Sequence, residues 1–164
     1  MPLKIQTVIE RKGIFATRSV TRREWGRIVR DAMKSLLLYW HRTYLPHHFS
    51  DTARLRYPDA VKRRSRAYLK SKQKKKGHRR NLVWLGEMAQ SVLGPSRITG
   101  TQKKATIFLR WGKAFRTADF RAQVERELSA INAREDRALA ARIRREISIA
   151  IDAVKAEHRI RIAA

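Results

Sequence analysis

With 164 residues and a 43% hydrophobic share, the chain has room for one domain, 1–164, with a packed core. It carries 39 Lys and Arg against 14 Asp and Glu, a formal charge of +25, which calls for an anionic partner: nucleic acid or acidic protein subunits. The lack of cysteine excludes disulfides and thiolate metal sites, and no apolar run approaches the roughly 20 residues of a membrane span.

Met1 to Glu10 alternates before turning charged, unlike a signal peptide. Leu3, Ile5, Thr7 and Ile9 predict a strand over 3–9, with Lys12-Gly13 as a turn and Ile14-Phe15-Ala16 as a short partner. Thr21-Arg22-Arg23-Glu24 is a capping-box signature. The helix it opens, 22–44, has Trp25, Ile28, Val29, Ala32, Met33, Leu36, Leu37 and Trp40 on one broad apolar face, and Pro46 follows its end.

Residues 46–58 read as a loop. Its pair His47-His48 invites a metal reading, but adjacent side chains on irregular backbone seldom converge on one ion, and no nearby cluster completes a set. Both are expected to be loop histidines.

The segment from about 54 to 80 is a basic arm. Thirteen Lys and Arg stand there against one Asp. Its start suits a short helix, with Val61, Tyr68 and Leu69 as apolar anchors. Its lysine-rich end, Lys70 to Arg80, is expected to repel itself and stay exposed until it orders on nucleic acid or on an acidic partner. The candidate contacts are Arg63, Arg64, Arg66, Lys70, Lys72, Lys74, Lys75, Lys76, Arg79 and Arg80. Lysine suits loose phosphate neutralisation without base readout.

His78 to Leu109 reads as a compact unit between the basic front half and a helical tail. Leu82, Leu85, Ala89 and Val92 share one face of a helix predicted over 82–93. Gly86 falls mid-helix, at a propensity cost of roughly 1 kcal/mol relative to Ala. Gly94-Pro95 stops the helix, with Gly94 suited to a left-handed cap. Strands at 96–101 and 104–110 then form a hairpin around Gly100-Thr101-Gln102-Lys103, with Ile107 and Leu109 on one side and Thr106 and Phe108 on the other. Trp111-Gly112 ends it.

The C-terminal segment, about 118–156, reads as two helices, 118–130 and 133–155. Phe120, Val124 and Leu128 recur at spacing four in the first. Asn132-Ala133-Arg134-Glu135 resembles a cap for the second, whose apolar face is Leu139, Ile143, Ile147, Ile151 and Val154, with Arg142, Arg144 and Arg145 off that face. His158-Arg159-Ile160-Arg161-Ile162 alternates, as either a frayed end or a terminal strand for another subunit's sheet. The predicted fold is α+β: a small antiparallel sheet packed with long amphipathic helices, plus the basic arm. Trp25, Ile28, Val29, Met33, Leu36 and Trp40 are expected to pack against Leu85, Ile107, Leu139, Ile143 and Ile147.

The chain has no phosphate-cradling Gly loop, no His-Glu-x-x-His motif and no Gly-x-Ser-x-Gly elbow. Glu87 is the only acid between Asp59 and Asp119, and the other carboxylates, dispersed on helices beside Arg, read as surface i,i+4 pairs. No catalytic, metal or cofactor constellation emerges, so the chain reads as a non-enzyme without cofactor. Fingerprints of the common RNA-binding sheet, the Gly-x-x-Gly clamp and the zinc finger are missing too, leaving sequence-independent charge.

Three stretches carry a resemblance: Arg63-Arg64-Ser65-Arg66-Ala67-Tyr68-Leu69-Lys70, the run from Gly77 through Leu82-Val83-Trp84-Leu85-Gly86 to Val92, and Glu127-Leu128-Ser129-Ala130-Ile131-Asn132 leading into Arg134-Glu135-Asp136. Together, over roughly 45–155, the chain resembles the tail-completion, head–tail joining and virion-morphogenesis proteins of tailed bacteriophages. Asn81 stands where that family usually has Pro, and Leu85 where it has Thr or Ser. The resemblance implies a small α+β subunit of a homo-oligomeric ring at the virion neck, assembled in the host cytoplasm beside neighbouring connector and tail proteins, with no catalytic residues and no membrane. The arm would meet packaged DNA through non-specific phosphate contacts, or acidic subunits. The alternative from composition is a basic RNA-binding protein of a ribosome or other ribonucleoprotein. Three long amphipathic helices suggest a self-standing fold and favour the first.

Overall fold

The computed structural model describes residues 20–80, 82, 86–101, 104–110 and 118–163, with backbone alone for 118–120 and 159–163. The strand expected at 3–9 and its partner at 14–16 lie outside these residues, as do Leu85 and Trp111-Gly112.

Helix α1, Arg22–Thr43, is the element on which the rest packs. Its start is the predicted capping box: the Glu24 N–H donates to Thr21 Oγ1 at 3.2 Å, and Glu24 Oε2 accepts from the Thr21 N–H at 2.8 Å. Its apolar face buries Ile28, Val29, Met33, Leu36, Leu37 and Trp40. Trp25, expected inside, is half-buried and leans on the core from its edge.

The chain then turns through a 3-10 segment, Leu45–Phe49, and a short α2, Ala53–Arg56. The predicted loop over 46–58 is therefore largely helical. Pro46 begins the turn because its fixed φ suits a helical start, and Leu45, Phe49, Ala53 and Tyr57 are buried. Helix α3, Arg66–Lys76, comes next. Helix α4 spans Glu87–Leu93, shorter than the predicted 82–93. Gly86 is its N-cap rather than its middle: φ of 85° is open to glycine and starts the helix at Glu87, leaving Leu82, itself at φ 51°, outside it. Gly94 ends the helix in extended backbone, ψ −177°, not in the left-handed cap expected of it.

Strands β1, Arg97–Gly100, and β2, Ala105–Phe108, form the predicted antiparallel hairpin, with Ile98 opposite Ile107. Ala105, Ile107 and Leu109 are buried. Both strands lie on α1. Gly100 comes so close that a Cβ there would stand 3.0 Å from Lys34 Cγ and 3.2 Å from Arg30 Cγ.

Helix α5 is Ala118–Ser129 and α6 is Ala133–Ala163. Asn132 caps α6 as predicted, its Oδ1 accepting the Glu135 N–H at 3.0 Å. Leu139, Ile143, Ile147, Ile151 and Val154 face α1 in one core with Val92, Ile107, Val124 and Leu128. Ser35 with Glu146 and Glu24 with His158 show that the two helices run antiparallel. α6 continues past the predicted end at 155: His158 Nε2 sits 2.8 Å from Glu24 Oε1, and neither the frayed end nor the terminal strand expected at 158–162 forms.

The observed class is α+β, mostly helical with a two-stranded antiparallel sheet. The organising element is α1, which touches α6 and the hairpin.

Candidate basic binding surface

Of the basic arm it is the lysine-rich end, Arg66–Lys76, and not the stretch 61–65 before it, that forms a helix, with a defined start and stop. Ser65 Oγ accepts the Tyr68 N–H at 3.1 Å, and Gly77, at φ 72°, forms the left-handed C-cap. Between the caps α3 turns two unlike faces outward and inward. Residues 65, 68, 69, 72 and 73 recur at spacings of three and four and look into a cleft. Arg66, Lys70 and Lys74, also at spacing four, lie on the opposite side with Lys75 and are exposed.

The expectation that Lys70 to Arg80 forms the most exposed part fails at Lys72. That side chain is 3% exposed, and its Nζ donates to the Arg80 carbonyl at 2.7 Å and sits 5.8 Å from the centre of the Tyr68 ring. Burial, with the charge of Arg64 second, lowers the Lys72 pKa from the ordinary lysine value. Gln73 Nε2 adds a bond to the Gly77 carbonyl at 2.9 Å. The helix thereby clamps its own returning chain. Like charges do not melt this segment, because Lys72 has a carbonyl and an aromatic face, and Lys70, Lys74 and Lys75 are exposed to water.

The cleft has a volume of 980 Å³. Its walls are the inner face of α3, the extended stretch 61–65 and the returning 79–80 and 82, with Asp51 and Arg54 at one side. The ten sequence-predicted contacts divide evenly. Arg63, Arg64, Lys72, Arg79 and Arg80 line the cleft; Arg66, Lys70, Lys74, Lys75 and Lys76 do not. The cleft side is rich in arginine and the other side in lysine.

Arg64 is positioned from below by a carboxylate that sequence reading placed on the surface. Glu127 is fully buried, and its Oε1 accepts from Arg64 Nη2 at 3.3 Å, the Lys62 N–H at 3.3 Å and Gln123 Nε2 at 2.7 Å. Glu135, also read as a surface acid, is buried beside Tyr57. Glu146 does form the expected i,i+4 pair, with Arg142 at 2.8 Å. The histidine pair is corrected as well. His48 is fully buried, donates from Nδ1 to the Glu127 carbonyl at 2.7 Å, and stacks on Tyr57 with ring centres 4.0 Å apart. Burial holds its pKa down at about 4, so it is neutral. Only long-range packing reveals these three residues; the one local signal was Glu135, at the third position of a cap.

Among the described residues no group of three or more His, Asp or Glu is arranged to hold a metal, and no helix is long and apolar enough to cross a membrane. In comparisons with known proteins, the chain matches no family model, no curated protein and no solved structure.

Proposed function

We propose that the chain is a non-catalytic structural subunit of a bacteriophage neck, one copy in a ring that joins capsid to tail as a head–tail connector or tail-completion protein. The observation that carries this reading is the separation of a helical body from a basic module. α1, α6 and the hairpin share one core, whereas α3 stands off that core and turns Arg66, Lys70, Lys74 and Lys75 to solvent. A ring subunit needs a rigid body to pack beside its copies and an outward surface to hold the next component. The lysine face meets the acidic surface of a neighbouring connector or tail protein, or the phosphates of packaged DNA.

A second reading, a basic RNA-binding protein of a ribonucleoprotein, is favoured by the arginine-lined cleft. Size-exclusion chromatography with light scattering, with and without nuclease treatment, separates the two. The neck reading expects a discrete oligomer free of nucleic acid. A monomer that retains ribosomal RNA would sink it.

A further inference from the structure

The cleft beneath α3 gathers cations that the fold itself does not neutralise. Arg64 is held by Glu127 and Lys72 by the Arg80 carbonyl. Among the described residues Arg63, Arg79 and Arg80 pair with no carboxylate, and Asp51 is the one acid in the lining. Guanidinium groups are planar forks that grip phosphate oxygens two at a time, unlike the point charges of the lysine face. The same walls carry apolar area: Tyr68, 41% exposed, and the half-buried Leu69 and Leu82.

We infer that this cleft binds single-stranded nucleic acid, with Arg63, Arg79 and Arg80 on the phosphates and Tyr68 as the platform for a base. Aromatic rings within a cationic groove are the recurring means of holding a single strand, because every base has a stackable face. A volume of 980 Å³ is at the upper end of the roughly 300–1,000 Å³ of ligand pockets. It admits a short stretch of strand, whereas a duplex keeps its bases stacked inside and offers Tyr68 no free base face. A bare polyphosphate or an acidic peptide would leave the Tyr68 wall without a use. The cleft and the lysine face are thus two surfaces with different ligands. The inference holds whichever assembly the chain builds: ring formation is read by light scattering and strand binding by anisotropy, so either can fail alone.

The test is fluorescence anisotropy of the full chain with a labelled oligothymidylate octamer and, separately, a labelled DNA hairpin duplex. The substituted side chains are all exposed, so circular dichroism should match the wild type, and a lowered melting point is expected only for Tyr68→Ala, which loses the contact with Lys72 Nζ. Arg79→Gln with Arg80→Gln should weaken octamer binding about tenfold or more and duplex binding far less. Tyr68→Ala should weaken octamer binding about tenfold and leave the duplex unchanged. Lys74→Gln with Lys75→Gln should spare the octamer, and should weaken the duplex where duplex DNA is the ligand of the lysine face. Equal loss of octamer binding in the cleft and lysine variants would overturn the site in favour of diffuse charge. Displacement of the octamer by an equal concentration of tripolyphosphate, with no effect of Tyr68→Ala, would overturn it in favour of a polyphosphate site. Displacement by octaglutamate at equal concentration would overturn it in favour of an acidic peptide.

Discussion

The Tyr57 hydroxyl donates a 2.6 Å hydrogen bond to Glu135 Oε1, tying the turn after α2 to the first turn of α6 across 78 residues of sequence. The other carboxylate oxygen accepts the Asn132 N–H at 3.3 Å, so one buried side chain both caps α6 and anchors the chain that leads into the cleft. Burial, reinforced by this bond, raises the Tyr57 phenol pKa well above its ordinary value. Tyr57→Phe removes the donor and leaves the oxygen buried. We expect a loss of about 1.5–3 kcal/mol, the range for a hydrogen bond to a charged group. An unchanged urea midpoint would show that Glu135 Oε1 is adequately held by other groups.

Stability should fall in mild acid because of His48. Its folded pKa of about 4 lies below the ordinary 6.5, so between these values the unfolded chain binds the proton and the folded one does not. Stability is therefore full above about 6.5 and declines as pH drops toward 4, by an amount on the order of 3 kcal/mol. Glu24 acts at lower pH. The Thr21 hydroxyl and then the Thr21 N–H hold its pKa at about 2, so its contribution is present above about 4.3 and lost as pH falls through 2. Urea midpoints between pH 7 and 4.5 read the His48 window. His48→Phe should flatten that slope, and an equal slope in the variant would rule out this group as its source.

Lys72 differs from its lysine neighbours in what it holds. Lys72→Gln shortens the side chain and removes the bond to the Arg80 carbonyl. Hydrogen exchange in α3 and at 77–80 should rise by at least tenfold, with α1 and α6 unaffected, since α3 has little contact with the other elements. Unaltered protection of α3 would mean that its caps at Ser65 and Gly77 suffice.

The outer face should behave as diffuse charge. If duplex DNA is its ligand, Lys70→Gln, Lys74→Gln and Lys75→Gln together should reduce the log–log salt slope by about 2.7, at roughly 0.9 per phosphate contact. The fold should remain intact, because all three side chains are exposed. If an acidic ring is the ligand, the triple variant keeps its DNA affinity and fails to join the neck. Binding isotherms from about 0.05 to 0.2 M salt decide between them.

Ile143→Asp should cost at least about 3 kcal/mol by placing an unpaired carboxylate against α1. Ile143 belongs to the same buried cluster as Met33, Leu36 and Ile147. A thermal midpoint within a degree of the wild type would be incompatible with that packing.

Local pattern determined much of this protein from sequence alone. The limits of α1, the Asn132 cap, the alternation of β2 and the apolar face of α6 depend on neighbours within about four residues or on the two-residue alternation of a strand. The composition also set the excess of positive charge. What only the tertiary structure decided depends on residues far apart in the chain. Glu127, His48 and Glu135 become buried because α5 and α6 fold back on the 45–57 segment, and no local rule separates Glu127 and His48 from surface acids and loop histidines. Gly86 starts a helix instead of weakening one because its positive φ is realised at the turn into α4. The basic run is ordered because Lys72 meets Arg80 across the chain reversal, and that reversal divides one list of cations into an arginine cleft and a lysine face.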